Sequence, residues 1–161
     1  MTLWKAYKTC VYNGAEVVKR VANWDIKLAE YLNSSRDYPF VWGEHDCFTF
    51  INKCVEIMSG QGFADDCLGN YTTPKSALLH YRRKLLHLEY DTILDMLDDR
   101  LQRFDGRFPS RGSIVGRPVD QTVGVLPVAL GVVVSDLGAF LCDNGMLLWT
   151  LDENDLFWSI D

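Results

Sequence analysis

One stripe of the chain leaves little freedom in how it folds. Cys47, Phe50, Ile51, Cys54, Val55 and Met58 recur at i, i+3, i+4, i+7, i+8 and i+11, the spacing of a single helical face turned toward a core. The punctuation agrees: Asp46 stands where an N-cap belongs, and Gly60 stands where a left-handed C-cap would end the helix. Cys47 therefore falls in the first turn, at the positive end of the helix dipole, a position that favours thiolate over thiol. The stretch Trp42-Gly43-Glu44-His45-Asp46-Cys47 is the candidate chemical centre.

Bulk properties narrow the classes. At 161 residues, one domain is the expectation, and a core can form without disulfides or metal. A net charge of -6 excludes a general phosphate-backbone binder, so nucleic acid is not an expected partner. The five cysteines are scattered with no C-x-x-C pair, which leaves a zinc site without spacing support and predicts no metal and no cofactor. The amino terminus has no signal-peptide pattern, and the longest nearly apolar run, residues 123 to 134, contains Pro127 and is too short for a membrane span. Synthesis in a reducing cytoplasm with free thiols is expected.

The chain divides at about residue 22. Ahead of it, Lys8 to Tyr12 and Ala15 to Val18 flank Asn13-Gly14, a hairpin signal. This predicts an N-terminal β-hairpin extension over residues 1–22, with Tyr12, Asn13 and Gly14 at a tip that either covers the core or binds a partner. Residues 23–161 read as the domain. Asn23 is placed to cap a helix carrying Trp24, Leu28, Tyr31 and Leu32, and Thr73-Pro74 opens another with Leu78, Tyr81, Leu85 and Leu88 inward. A further helix is expected from Asp91, with Asp95, Asp98 and Asp99 on a solvated face. From Gly106 the texture changes to glycine and β-branched residues, which predicts strands over 113–115, 128–134, 138–142 and 146–150, with Asn144-Gly145 as a turn. Helices first and strands afterwards give an α+β class, with the Cys47 helix packed on a small antiparallel sheet.

The order of features is more specific than the class. Trp24, Leu28 and Tyr31-Leu32 are followed by Arg36, Pro39-Phe40, Trp42-Gly43, His45-Asp46-Cys47, Gly60, Gly112-Ser113-Ile114-Val115 and Leu130-Gly131-Val132. This order resembles the small NlpC-like (papain-fold) proteins of bacteriophage and gene-transfer-agent tail modules, over residues 23 to 160. The resemblance implies a papain-like, NlpC-type fold and a place in the virion at the tail tip. Other tail proteins, hub and tail-tip components, would be the partners, and peptidoglycan the substrate of an active member.

Two departures bear on catalysis. In active NlpC-like peptidases a histidine precedes the Val/Leu-Gly-Ile/Val strand, and the resemblance puts Ala129 at that position. Gly112-Ser113 replaces the usual Gly-Asp. The histidines of this chain are His45, His80 and His87. His80 and His87 are expected at the surface of their helix. His45, two residues before Cys47, could serve as base only if the chain kinks at the helix entry; otherwise it is a structural residue of the turn. Two functions follow as expectations. One is a degenerate tail-tip or tail-assembly protein in which Trp42 and Gly43 shape the loop, Asp46 caps the helix and Cys47 is a buried apolar residue. The alternative is an active cysteine hydrolase using Cys47 and His45 on peptidoglycan peptide bonds.

Overall fold

The computed structural model describes residues 19–105, 108–120 and 126–160. The predicted hairpin, with Tyr12, Asn13 and Gly14, lies outside the described residues. Four α-helices come first: α1 (Trp24–Ser35), α2 (Cys47–Ser59), α3 (Pro74–His87) and α4 (Ile93–Arg100). The strands follow as β1 (Gln102–Phe104), β2 (Ile114–Pro118), β3 (Val128–Val133), β4 (Leu137–Cys142), β5 (Gly145–Thr150) and β6 (Leu156–Ser159). They form one six-stranded sheet in the order β1-β6-β2-β3-β4-β5, antiparallel throughout. The α+β expectation and the helix-before-sheet order hold.

The stripe on α2 is buried as its spacing demands: Phe50, Ile51, Cys54, Val55 and Met58 are all inside, and Cys47 is half-buried. Phe48 and Asn52, off the stripe, are buried too, because α2 is enclosed on more than one side. The Asn52 amide donates to Asp65 at 2.7 Å and its carbonyl accepts from the Ala64 N–H at 2.9 Å, fastening the loop after Gly60 to the helix. Asn23 departs from expectation. It sits at φ 58 with no side-chain capping bond, so its tolerance of left-handed backbone, rather than its side chain, starts α1. Thr73 caps α3 as expected, whereas α4 starts at Ile93 behind Thr92 rather than at Asp91.

Alternation sorts the sheet into two faces. Trp158, Ile114, Val132 and Ala139 lie side by side across β6, β2, β3 and β4, all fully buried, and share one core with α1 to α4. The next row, Phe157, Val115, Gly131 and Phe140, belongs to a smaller cluster on the other face. Gly131 is required there: a Cβ would meet the Phe140 ring at 2.8 Å, so the glycine lets that ring lie across β3.

Strands β1 and β6 carry little alternation and were not foreseen. Trp158 on β6 is fully buried, and its indole N–H donates to Asp98 at 2.7 Å. The acidic face of α4 is thus partly an anchor: Asp98 also holds Arg103 at 3.1 Å, and Asp95 joins the capping box of Thr92. Leu130 is fully buried in the core that α2 shares with β3. Leu130→Ala is expected to destabilise the fold by about 2–5 kcal/mol in urea unfolding, whereas Leu86→Ala, at an exposed position, should change it by less than about 0.5 kcal/mol.

Candidate functional site

The Trp42 to Cys47 turn is built around one carboxylate. Asp46 is almost wholly buried. Its Oδ1 accepts from the N–H groups of Phe48 at 3.1 Å and Thr49 at 2.9 Å, and its Oδ2 from the N–H of Gly43 at 2.9 Å and the Tyr71 hydroxyl at 2.7 Å. Thr49 returns the favour, its hydroxyl accepting from the Asp46 N–H at 2.9 Å, which completes a capping box. Gly43 has φ +82, and any Cβ would overlap the Tyr71 carbonyl. The turn closes through a bridge between Val41 and His45. In this loop Asp46 caps, Gly43 supplies the left-handed bend, and Trp42 packs edge-on against Phe40 with centroids 4.9 Å apart.

Cys47 opens onto a cleft of about 160 Å3 lined by Trp42, Asp46, Phe48, Tyr81, Val119, Leu126, Val128 and Ala129. The wall is nearly all apolar. Burial, reinforced by the Asp46 carboxylate, pushes the Cys47 thiol up to about 12, against a smaller opposite pull from the backbone of Leu130 and of the first helical residues. The dipole at the helix start thus loses to desolvation. Burial thus favours the protonated thiol.

Ala129 borders this cleft. Register places it opposite Arg117, on the face of the second cluster, which it packs against. The resemblance put a histidine there. His45 does not take its place: its ring packs edge-on against Tyr38 at 4.8 Å and Phe50 at 6.1 Å and is absent from the cleft lining. Its Nε2 is buried without a hydrogen-bond partner among the described residues. Burial lowers its pKa, opposed by the Asp46 charge. His80 is half-buried, not at the surface: its Nε2 bonds the Cys67 carbonyl at 2.7 Å and its ring lies beside Tyr71 and Tyr81. His87 is exposed.

Sequence reading missed the tyrosines. Tyr81 of α3 shares a short hydrogen bond with Tyr71, which donates to Asp46, so a buried chain of hydroxyls runs from the cleft wall to the cap. Burial raises the pKa of both tyrosines, and both hydroxyls stay protonated. Nothing in local spacing joins Tyr71 to Asp46 across twenty-five positions. Thr49 was missed as well, because Asp-x-x-Thr departs from the Ser/Thr-x-x-Glu/Gln pattern by which a capping box is read.

A family model of a domain of unknown function, DUF6950, matches residues 19–160. The chain belongs to the DUF6950 family. The matched span begins where the described residues begin and takes in all four helices and six strands. No curated protein matches the chain, and no solved structure does. Among the described residues of this DUF6950 protein no group of three or more His, Cys, Asp or Glu is arranged to hold a metal ion, and no helix is long and apolar enough to cross a membrane.

Two outcomes are expected of the site. Asp46→Ala removes a cap and takes away the acceptor of the Gly43 N–H and of the Tyr71 hydroxyl, and should cost about 2–4 kcal/mol in chemical denaturation. His45 is neutral when folded and binds a proton more readily when unfolded. Its contribution is therefore fully present above the ordinary value of 6.5 and declines as pH falls through and below it. Melting temperature should drop as pH is lowered from 7 to 5, and His45→Gln should flatten that dependence.

Proposed function

We propose that this DUF6950 protein is a bacteriophage or gene-transfer-agent tail-tip or tail-assembly component on a degenerate NlpC-like, papain-type scaffold. Its place is in the virion, against other tail proteins such as hub and tail-tip components. The observation that carries the degenerate reading is the setting of Cys47: a thiol at the head of a buried helix, in a cleft whose lining contains no imidazole. A papain-type hydrolase needs a base within hydrogen-bond reach of its thiol. Here the strand that would supply it offers Ala129.

The scaffold reading draws support from the arrangement as well as from the sequence order. The cysteine-first helix shares its core with β3, the strand that carries Ala129-Leu130-Gly131. Cys47 in this setting is a small apolar residue packed at the cap, which is the ordinary fate of a free cysteine. The alternative, a hydrolase cutting peptidoglycan, would need to recognise charged stem peptides with a cleft that presents almost only apolar surface.

The test has two parts. Antibody detection should find the protein in purified particles from the strain that encodes it, and deletion should leave tails incomplete; tails that assemble normally without it would remove the structural role. Cys47→Ala should support assembly like wild type, and iodoacetamide should leave Cys47 unlabelled at pH 7 in the folded protein. Rapid Cys47 labelling at pH 7, together with release of peptides from peptidoglycan that Cys47→Ala abolishes, would establish the hydrolase instead.

A further inference from the structure

The cleft at Cys47 offers no base, yet its walls are firmly placed. Trp42 comes from the loop before α2, Cys47 and Phe48 from the head of that helix, Tyr81 from α3, and Val128 and Ala129 from β3. Phe48, Tyr81 and Val128 are only 1%, 4% and 3% exposed, so these walls belong to the core and stand preformed. The space between them is about 160 Å3, and an apolar cavity of about 150 Å3 is enough to take benzene. One six-membered ring therefore fills it.

The polar groups of the wall exclude a charged guest. Asp46 repels an anion, while its two oxygens already accept four hydrogen bonds, which leaves no lone pair to hold a cation. Tyr71 has a single hydroxyl proton and gives it to Asp46, so Tyr81 is the donor in the bond between the two tyrosines. With that proton engaged, the Tyr81 hydroxyl cannot fix a carboxylate or a carbonyl in the cleft. Both oxygen-bearing side chains of the wall thus serve the fold.

The remaining wall favours an aromatic guest over an alkyl one. Phe48 and Tyr81 meet with centroids 5.1 Å apart and planes at 64°, and Trp42 is held edge-on by Phe40. Three rings therefore border the space in orientations set by the protein, and ring edges beside ring faces attract a further ring beyond the burial of its surface. The Cys47 sulfur adds a sulfur–ring contact.

We propose that this cleft is a binding site for one neutral aromatic ring of benzene to toluene size, either a free molecule or the phenyl ring of a peptide side chain. The inference rests on the reading of Cys47 as a residue of the wall rather than a nucleophile. Cys47 contributes surface only: no bond forms to the ring, and replacing the thiol by a methyl group leaves the binding in place.

Fluorine NMR of fluorobenzene with the full chain tests this. The expected result is saturable broadening with a dissociation constant of about 1 mM or tighter, reversed by benzene and not by benzoate. Intermolecular NOEs should connect benzene to the methyl groups of Val128 and Ala129. Ala129→Leu, which fills the space, should weaken binding about tenfold or more, and Cys47→Ala should bind like wild type. The NOEs need no variant, so they decide the matter even where a leucine cannot be accommodated. Fluorobenzene that shows no saturation overturns the inference, as do benzoate competing as well as benzene, NOEs confined to other methyl groups, or a Cys47→Ala protein that is folded but no longer binds. N-acetyl-phenylalanine amide separates the two sources: displacement of fluorobenzene assigns the site to a peptide side chain, and its absence assigns it to a free aromatic molecule. Peptide release from peptidoglycan is measured apart from this, so an active hydrolase would overturn the reading of Cys47 by a different result, and absent fluorobenzene binding would leave that reading standing.

Discussion

The carboxylate of Asp46 is the constraint on which this end of the molecule depends. It is buried, and four donors from three parts of the chain converge on it: Gly43 in the loop, Phe48 and Thr49 at the head of α2, and Tyr71 ahead of α3. A buried anion is costly unless its lone pairs are matched, and here they are matched by groups that need partners themselves. The first N–H groups of a helix have none within it. The cap therefore sets the depth at which α2 enters the core, the direction in which Cys47 points, and the position of Tyr81 through Tyr71. Gly43 is the backbone counterpart, because only a residue without a side chain can take φ +82 under the Tyr71 carbonyl.

The same carboxylate helps decide the chemistry. A helix start should lower a thiol's pKa, and an unpaired charge beside it should raise it. At Cys47 the second effect joins desolvation, and together they exceed the first. In an active cysteine hydrolase an imidazolium compensates for exactly such a deficit by pairing with the thiolate. Without one, the protonated thiol is the stable state, and the apolar walls of Phe48, Val128 and Leu126 suit it.

Much of this was legible in the residues. The spacing on α2, the Asp46 and Gly60 caps and the Thr73-Pro74 start are local signals, and each appears in the fold, while the turn expected at Asn144-Gly145 lies one residue earlier, at Asp143-Asn144, with Gly145 already paired in β5. What was not legible depends on contacts between distant segments. Strand β6 exists because Phe157 and Trp158 find Val115 and Ile114 opposite them, a pairing that four residues of sequence do not announce. His80 looked like a surface residue because the helical pattern sees one helix; the Cys67 carbonyl that binds it comes from the loop before α3. His45 stood close to Cys47 in sequence, yet i and i+2 across a helix entry point apart, and its ring went to Tyr38 and Phe50.

The sheet follows the same logic. The row from Trp158 to Ala139 is buried because helices cover it, and it ends at Leu148, where cover ends. The row on the opposite face ends at Leu147 beside Phe140. There Trp149 lies against the Phe140 ring with the Arg117 guanidinium 5.7 Å from its own, so its apolar surface is used within this chain.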